Sequence, residues 1–197
     1  EGFATASAFL DAALLTALPA LLLIGLASFL QIRLARRFGV RAGPIVPVPD
    51  PSILLWAVGA IPTTWLVWPF GILLLPTLPR MDARPWPDRR SLGWTSLSAP
   101  VVLVLGGLAM WFAGLLLTPS ASTVQGATVS HDSGWFLVAL YGLLRTDLAV
   151  RAAWAHPLVW AGASVTFLAW VSLLHVPTFP GGMLHVSRLG FHVFRNT

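Results

Sequence analysis

The 197-residue chain contains no cysteine and no lysine, a single tyrosine, and only seven acidic residues against twelve arginines. Without thiols there are no disulfides, zinc fingers, thiolate metal sites or cysteine nucleophiles, and the redox compartment leaves no mark. Without lysine there is no phosphate-cradling G-x-x-x-x-G-K loop. Charge of any kind is scarce: 10% of residues are charged, against roughly 25% in ordinary soluble domains. Hydrophobic residues make up 56% and the mean hydropathy is +0.79, the composition of a polytopic membrane protein. The formal charge of +5 comes from arginines gathered between apolar runs, which reflects membrane topology and gives no reason to expect a nucleic-acid partner.

Four apolar stretches can be measured against the roughly 20 residues that cross about 30 Å of hydrocarbon as helix. They are Phe9 to Leu30, Ile53 to Pro76, Val101 to Leu117 and Pro157 to Leu174. Pro100 and Pro157 stand at the entrances of the last two, where a first helical turn misses no N–H. The second stretch differs, because Pro62, Pro69 and Pro76 interrupt it. Arg33, Arg36, Arg37 and Arg41 precede it and Arg80, Arg84, Arg89 and Arg90 follow it, whereas Pro119 to Ser133 has no arginine. Excess arginine marks cytoplasmic loops. A single crossing by residues 53–76 would put one cluster outside, so a re-entrant or hairpin segment is expected, with loops 31–50 and 77–97 cytoplasmic. Irregular backbone at that depth is tolerated when protein surrounds it.

The expected architecture is one all-α membrane domain over residues 1–197. Its spans lie near 9–31, 98–118 and 157–176, with a re-entrant segment near 53–76 and an interfacial helix near 135–150. The last of these carries Arg145 and Asp147 after an apolar start, which suits an interface better than a span. Ten tryptophans fit belts at the two interfaces. No positive segment precedes the first apolar run, so a secretory signal peptide is not expected.

"HPLVWAGASVTFLAWVSLLHVPTFPGG", His156 to Gly182, resembles the third core helix of the site-2 protease family of intramembrane zinc metalloproteases, whose members read like H-P-L-A-F-A-G-W-L-G-L-L-V-T-A-L-N-L-L-P-x-x-x-L-D-G-G. "LARRFGVRAG", Leu34 to Gly43, looks like the A-A-R-R-x-G-V after the family's zinc-binding helix. "PDRRSLGWTSLSAP", Pro87 to Pro100, looks like its P-N-R-R-A-L-F-D-I-G-x-A-G-P before the second core helix. The three fall in the family's order and imply a three-span site-2-protease-like core.

That family's chemistry uses an H-E-x-x-H helix, whose histidines four apart bind zinc while the glutamate activates a metal-bound water. A carboxylate from a D-G-G turn is the third ligand. On the resemblance, Ala27 and Gln31 stand at the histidine positions and Ser28 at the glutamate position. Ser172 stands at a substrate-holding asparagine and Pro180 at the aspartate. The resemblance therefore implies a pseudoenzyme with no catalytic or metal residues. No cofactor is expected, and contact with lipid or pigment stays open.

Of the five histidines, His131, His156, His175, His185 and His192, no two are spaced i, i+3 or i, i+4. A relocated His175/His185 pair would lack both a glutamate base and a third ligand, and His156 before proline reads as a structural residue where the helix begins. There is no G-x-S-x-G elbow, and neither "DSGW" at 132–135 nor "GASV" at 162–165 has a histidine at a spacing that suits a serine nucleophile. Gly106, Gly107 and Gly114 offer small-residue faces either to this chain or to a partner. Gln31 is expected to satisfy a backbone group or Ser28. The function expected is a structural or accessory subunit in a hetero-oligomeric complex with other integral membrane proteins and lipid. The alternatives are a residual metalloprotease with relocated ligands and a pigment- or quinone-contacting subunit of a photosynthetic or respiratory assembly.

Overall fold

The structure, a computed structural model, describes residues 6–49, 72–78, 86–118, 156–174 and 179–189. These residues form, in chain order, α1 (Ala6–Arg37), β1 (Ile45–Pro49), β2 (Ile72–Pro76), α2 (Arg89–Leu117), α3 (Pro157–Ser172) and α4 (Pro180–Leu189). They are mostly helical, but the expectation of an all-α chain is corrected by the two-stranded sheet. Residues 53–71 of the expected re-entrant segment, and the expected interfacial helix near 135–150, lie outside the described residues.

Helix α1 runs to Arg37, past the expected end near residue 31. Arg36 and Arg37 in its last turn meet the negative end of the helix dipole, and a Schellman motif closes it. Val40 N donates to Ala35 O at 3.0 Å and Gly39 N to Arg36 O at 2.9 Å, with Gly39 at φ 77°. Only glycine adopts that backbone without strain.

Helix α2 begins at Arg89, not near residue 98, and this corrects the reading of Pro100 as its opening residue. Asp88 is the N-cap, accepting from Ser91 N at 2.6 Å, which satisfies one of the orphan donors of the first turn. Pro100 therefore lies inside the helix, where it removes one N–H from the ladder. Hydroxyls crowd the turns before it: Ser96 Oγ donates to Leu92 O at 2.7 Å and Ser98 Oγ to Thr95 O at 2.8 Å. Such side chains help an apolar helix accommodate a proline.

The three long helices run antiparallel in sequence. Gln31 of α1 bonds Thr95 of α2, while Leu23 lies against Gly106. His156 N, at the head of α3, donates to Thr118 Oγ1 at the foot of α2 at 3.2 Å. Further along, Gly114 meets Val159 and Gly107 meets Gly162. At this α2–α3 seam the backbones touch: a Cβ on Gly114 would lie 2.6 Å from Val159 N, and one on Gly162 would lie 2.6 Å from Trp111 N. Gly106, Gly107 and Gly114 are thus all spent on packing within the chain. His156 caps α3 through Nδ1, which accepts from Leu158 N at 3.2 Å, the structural role expected of it. Helix α4 starts at Pro180, so Pro-Gly-Gly is a first helical turn, tucked against Leu173 and Leu174.

The strands pair antiparallel from Ile45↔Pro76 to Pro49↔Ile72. Thr77 N donates to Pro44 O at 3.3 Å, which makes 44/77 a bonded pair. Alternation then puts Pro47, Pro49 and Pro76 at non-bonded positions, where the ladder needs no N–H from them. The Leu74 carbonyl turns away from β1 to accept from Ser28 Oγ on α1 at 2.6 Å.

Two helical segments, Leu14–Arg37 and Arg89–Leu117, are long and apolar enough to cross a membrane. Their most apolar windows are only 33% buried within the chain, unlike the core helices of a soluble protein. Leu18, Leu22, Leu26 and Phe29 form an exposed stripe on α1 at helical spacing, and Leu105 and Leu116 are exposed on α2. Where a third span was expected lies α3, an apolar helix of 16 residues; at a rise of 1.5 Å per residue it covers about 24 Å, short of the roughly 30 Å of hydrocarbon.

Gly162→Ala will force the α2 and α3 backbones apart. A loss of about 1–3 kcal/mol in unfolding free energy is expected, as for other overpacked cores, measured by denaturant titration in mild detergent. Leu105→Ala, on the exposed face of α2, should change it by less than about 0.5 kcal/mol.

Candidate functional site

The antiparallel packing brings the C-terminal part of α1, the N-terminal half of α2, the end of α3 and the start of α4 to one end of the bundle, with β2 against α1. Between them is a cavity of about 450 Å³. Ala27, Ser28, Gln31, Ser172 and Pro180 all line it. Five positions chosen from segments scattered over 154 residues of sequence, from 27 to 180, thus meet around one space. The wall between them is apolar, built from residues such as Ile24, Leu74, Leu103, Leu168, Phe179 and Met183.

The polar groups here are mostly spent on the backbone. Ser28, 4% exposed, ties α1 to β2 through Leu74 O. Ser172 Oγ donates to Ala169 O at 2.7 Å, within its own helix. Gln31, 2% exposed, sends Nε2 to Thr95 O at 3.1 Å. The expected backbone partner of Gln31 is therefore Thr95 on α2, and Ser28 turns elsewhere. Thr95 itself is fully buried, and its Oγ1 has no hydrogen-bond partner among the described residues.

Ala27 and Pro180 carry no side-chain donor, and among the described residues none lining the cavity carries a carboxylate or an imidazole. Zinc binds deprotonated or lone-pair donors at about 2.0–2.2 Å, so the lining side chains do not fit the zinc used by the family that the sequence resembles. His185 lies on α4 but not in the lining, while His175 is outside the described residues.

Sequence reasoning missed Thr95, Phe179 and Met183, together with the strand that closes the cavity. Ser91, Thr95 and Ser98 recur at helical spacing in "SLGWTSLS", which marks a polar face on an otherwise apolar helix. That was the available signal for Thr95.

Ser28→Ala will leave the Leu74 carbonyl without its donor. An unmet buried acceptor costs about 1–3 kcal/mol, so amide exchange at residues 73–75 should quicken about tenfold or more, while the α2–α3 seam keeps its protection. Hydrogen–deuterium exchange read by mass spectrometry checks both regions in one experiment.

Comparison with protein-family models, with curated proteins and with solved structures gave no match to this chain.

Proposed function

We propose that this chain is a catalytically inactive integral membrane protein of site-2-protease-like architecture, serving as a structural or accessory subunit of a larger membrane complex. The observation that carries this reading is the convergence of Ala27, Ser28, Gln31, Ser172 and Pro180 on one cavity. They are counted from two sequence segments, "ARRFGV" and the run from His156 to Gly182, which lie more than a hundred residues apart. Their side chains supply neither a ligand set for zinc nor a base, so a metal-activated water has nothing to form on.

Membrane topology on this reading follows from the helices and the arginines. Helices α1 and α2 cross, and α3 is the third span. Gln31 contacts Thr95, so Arg33, Arg36, Arg37 and Arg41 share one end of the bundle with Arg89 and Arg90. Arg188 joins them, because α4 packs on the start of α2 through Leu92, Met183 and Val186. That end is cytoplasmic by the positive-inside rule. Pro49 pairs with Ile72, so the chain leaves and re-enters the described fold at one place. The exposed apolar stripes of α1 and α2 face lipid or neighbouring helices, and a scaffold subunit would use them in that way.

Two experiments test this. The first is the native mass after extraction from the protein's own membrane in mild detergent, with co-purifying chains identified by mass spectrometry. Stoichiometric companions are expected, and a chain that runs alone removes the subunit role. The second rebuilds the site through Ala27→His, Ser28→Glu, Gln31→His and Pro180→Asp together. If the architecture is right, the quadruple variant binds about one zinc ion per chain, while the unaltered protein binds none above background by elemental analysis. Failure of the folded variant to gain zinc would count against the architecture; zinc in the unaltered chain would count against its inactivity.

A further inference from the structure

One end of the bundle carries the same charge on three elements. Arg33 and Arg37 of α1, Arg89 and Arg90 of α2 and Arg188 of α4 are all exposed, and their side chains make no hydrogen bond or ion pair among the described residues. They stand at one level. Gln31 meets Thr95, and at 1.5 Å per residue Arg36 and Arg90 both lie about 7.5 Å beyond that contact. Ser187 packs on Gly93, which brings Arg188 to the first turns of α2. Like charges gathered in this way repel, Arg33 and Arg37 most directly, because residues four apart share a helix face. Residues 31–50 and 77–97 hold eight arginines against three aspartates, Asp50, Asp82 and Asp88, and the Asp88 carboxylate caps α2. An excess of positive charge remains whatever those aspartates meet, so the counter-charge comes from outside the chain.

The chemistry of that partner is written along α1. Leu18, Leu22, Leu26, Phe29, Arg33 and Arg37 follow one another at spacings of three and four, and all six are exposed. Apolar side chains and guanidinium groups thus share one helix face. From Leu18 to Phe29 that face rises about 16 Å, half of the roughly 30 Å of hydrocarbon and so the depth of one leaflet. Trp94, exposed one turn in from Arg90, suits the headgroup level, where tryptophan rings gather. A soluble polyanion would use the arginines and leave the leucines bare, and an uncharged apolar partner would do the reverse.

We propose that the α1 face from Leu18 to Arg37 is a docking site for an anionic phospholipid of the cytoplasmic leaflet. One acyl chain lies along Leu18, Leu22, Leu26 and Phe29, and the phosphate meets Arg33 and Arg37, whose planar guanidinium groups match it in bidentate fashion. The arginines of α2 and α4 add to the field that holds a negative headgroup there. The proposal rests on the reading that α1 crosses the membrane, and it needs neither the subunit role nor the site-2-protease-like architecture.

The test uses the full chain in mild detergent and a phosphatidylglycerol with a diazirine on one acyl chain. Photolysis should label the α1 face between Leu18 and Phe29, mapped by mass spectrometry. Unlabelled phosphatidylglycerol should compete about tenfold better than phosphatidylcholine of the same chains, whose headgroup cation cancels the phosphate. Glycerol 3-phosphate, a headgroup without chains, should not compete. In Arg33→Gln/Arg37→Gln, which keeps good helix formers and removes both charges, the preference for phosphatidylglycerol should vanish, with melting temperature showing that the variant is folded. The competition in the unaltered protein needs no variant. Equal competition by phosphatidylcholine, full competition by glycerol 3-phosphate, labels elsewhere, or a preference that survives in the folded variant would each overturn the proposal. Washing the native membrane with alkaline carbonate reads the crossing separately: release of the chain would remove the crossing and the lipid site together, whereas retention with equal competition would remove the lipid site alone.

Discussion

Where α2 and α3 meet, Gly107, Gly114 and Gly162 leave no side chain between two backbones. In a lipid environment helix association gains little from the hydrophobic effect, because hydrocarbon already surrounds the apolar side chains; close packing is what remains. The seam holds the two helices in register, and the rest follows from that register. Thr118 at the foot of α2 meets His156 at the head of α3, and Leu103, Ala161 and Val165 form a buried core with Ala20, Ile24 and Ala27 of α1. Slip the seam by one turn, about 5.4 Å, and the end of α3 no longer reaches the start of α4 or the cavity.

Exposed apolar side chains and buried polar ones stand side by side in this fold. Large apolar side chains such as Leu22, Leu105, Leu116 and Trp170 are exposed, while Ser28, Gln31, Ser91, Thr95 and Ser96 are buried. Each buried hydroxyl or amide that is bonded reaches a backbone carbonyl, on its own helix or on a neighbouring element. The inter-element bonds, Ser28 to β2 and Gln31 to α2, both leave α1 at the cavity. Ser28 and Gln31, two of the five positions that the resemblance singles out, thus tie three elements together.

How much of this could be read in advance varies by element. Apolar runs announced the three long helices, and "ARRFGV" carried both the basic last turn and the glycine of the α1 cap. The start of α2 was misplaced because Pro100 looks like an opening residue; Asp88 with Ser91 three residues on is the true cap, hidden among arginines that read as loop. Neither strand was legible. "IVPVP" carries two prolines that argue against a sheet, "ILLLP" looks like the end of an apolar run, and the partner strands begin 27 positions apart. The lining residues on α1, α3 and α4 were reachable only by counting from matched segments. Periodicity within one helix says nothing about which residues of another helix will face it, so Phe179 and Met183 had to wait for the packing.

The same prolines that hide the sheet also limit what it can become. A strand edge with free N–H groups invites another chain to pair and a sheet to grow. Along β1 the outward positions 47 and 49 are prolines with nothing to donate, and along β2 the position at 76 is proline while the Leu74 carbonyl is already taken by Ser28. Of the outward positions on β1 only Ile45 keeps an N–H, and on the other side the β2 edge is met by α1 at Leu74. A chain this apolar thus carries its only described strands with edges poor in free N–H groups, which makes them weak templates for another strand.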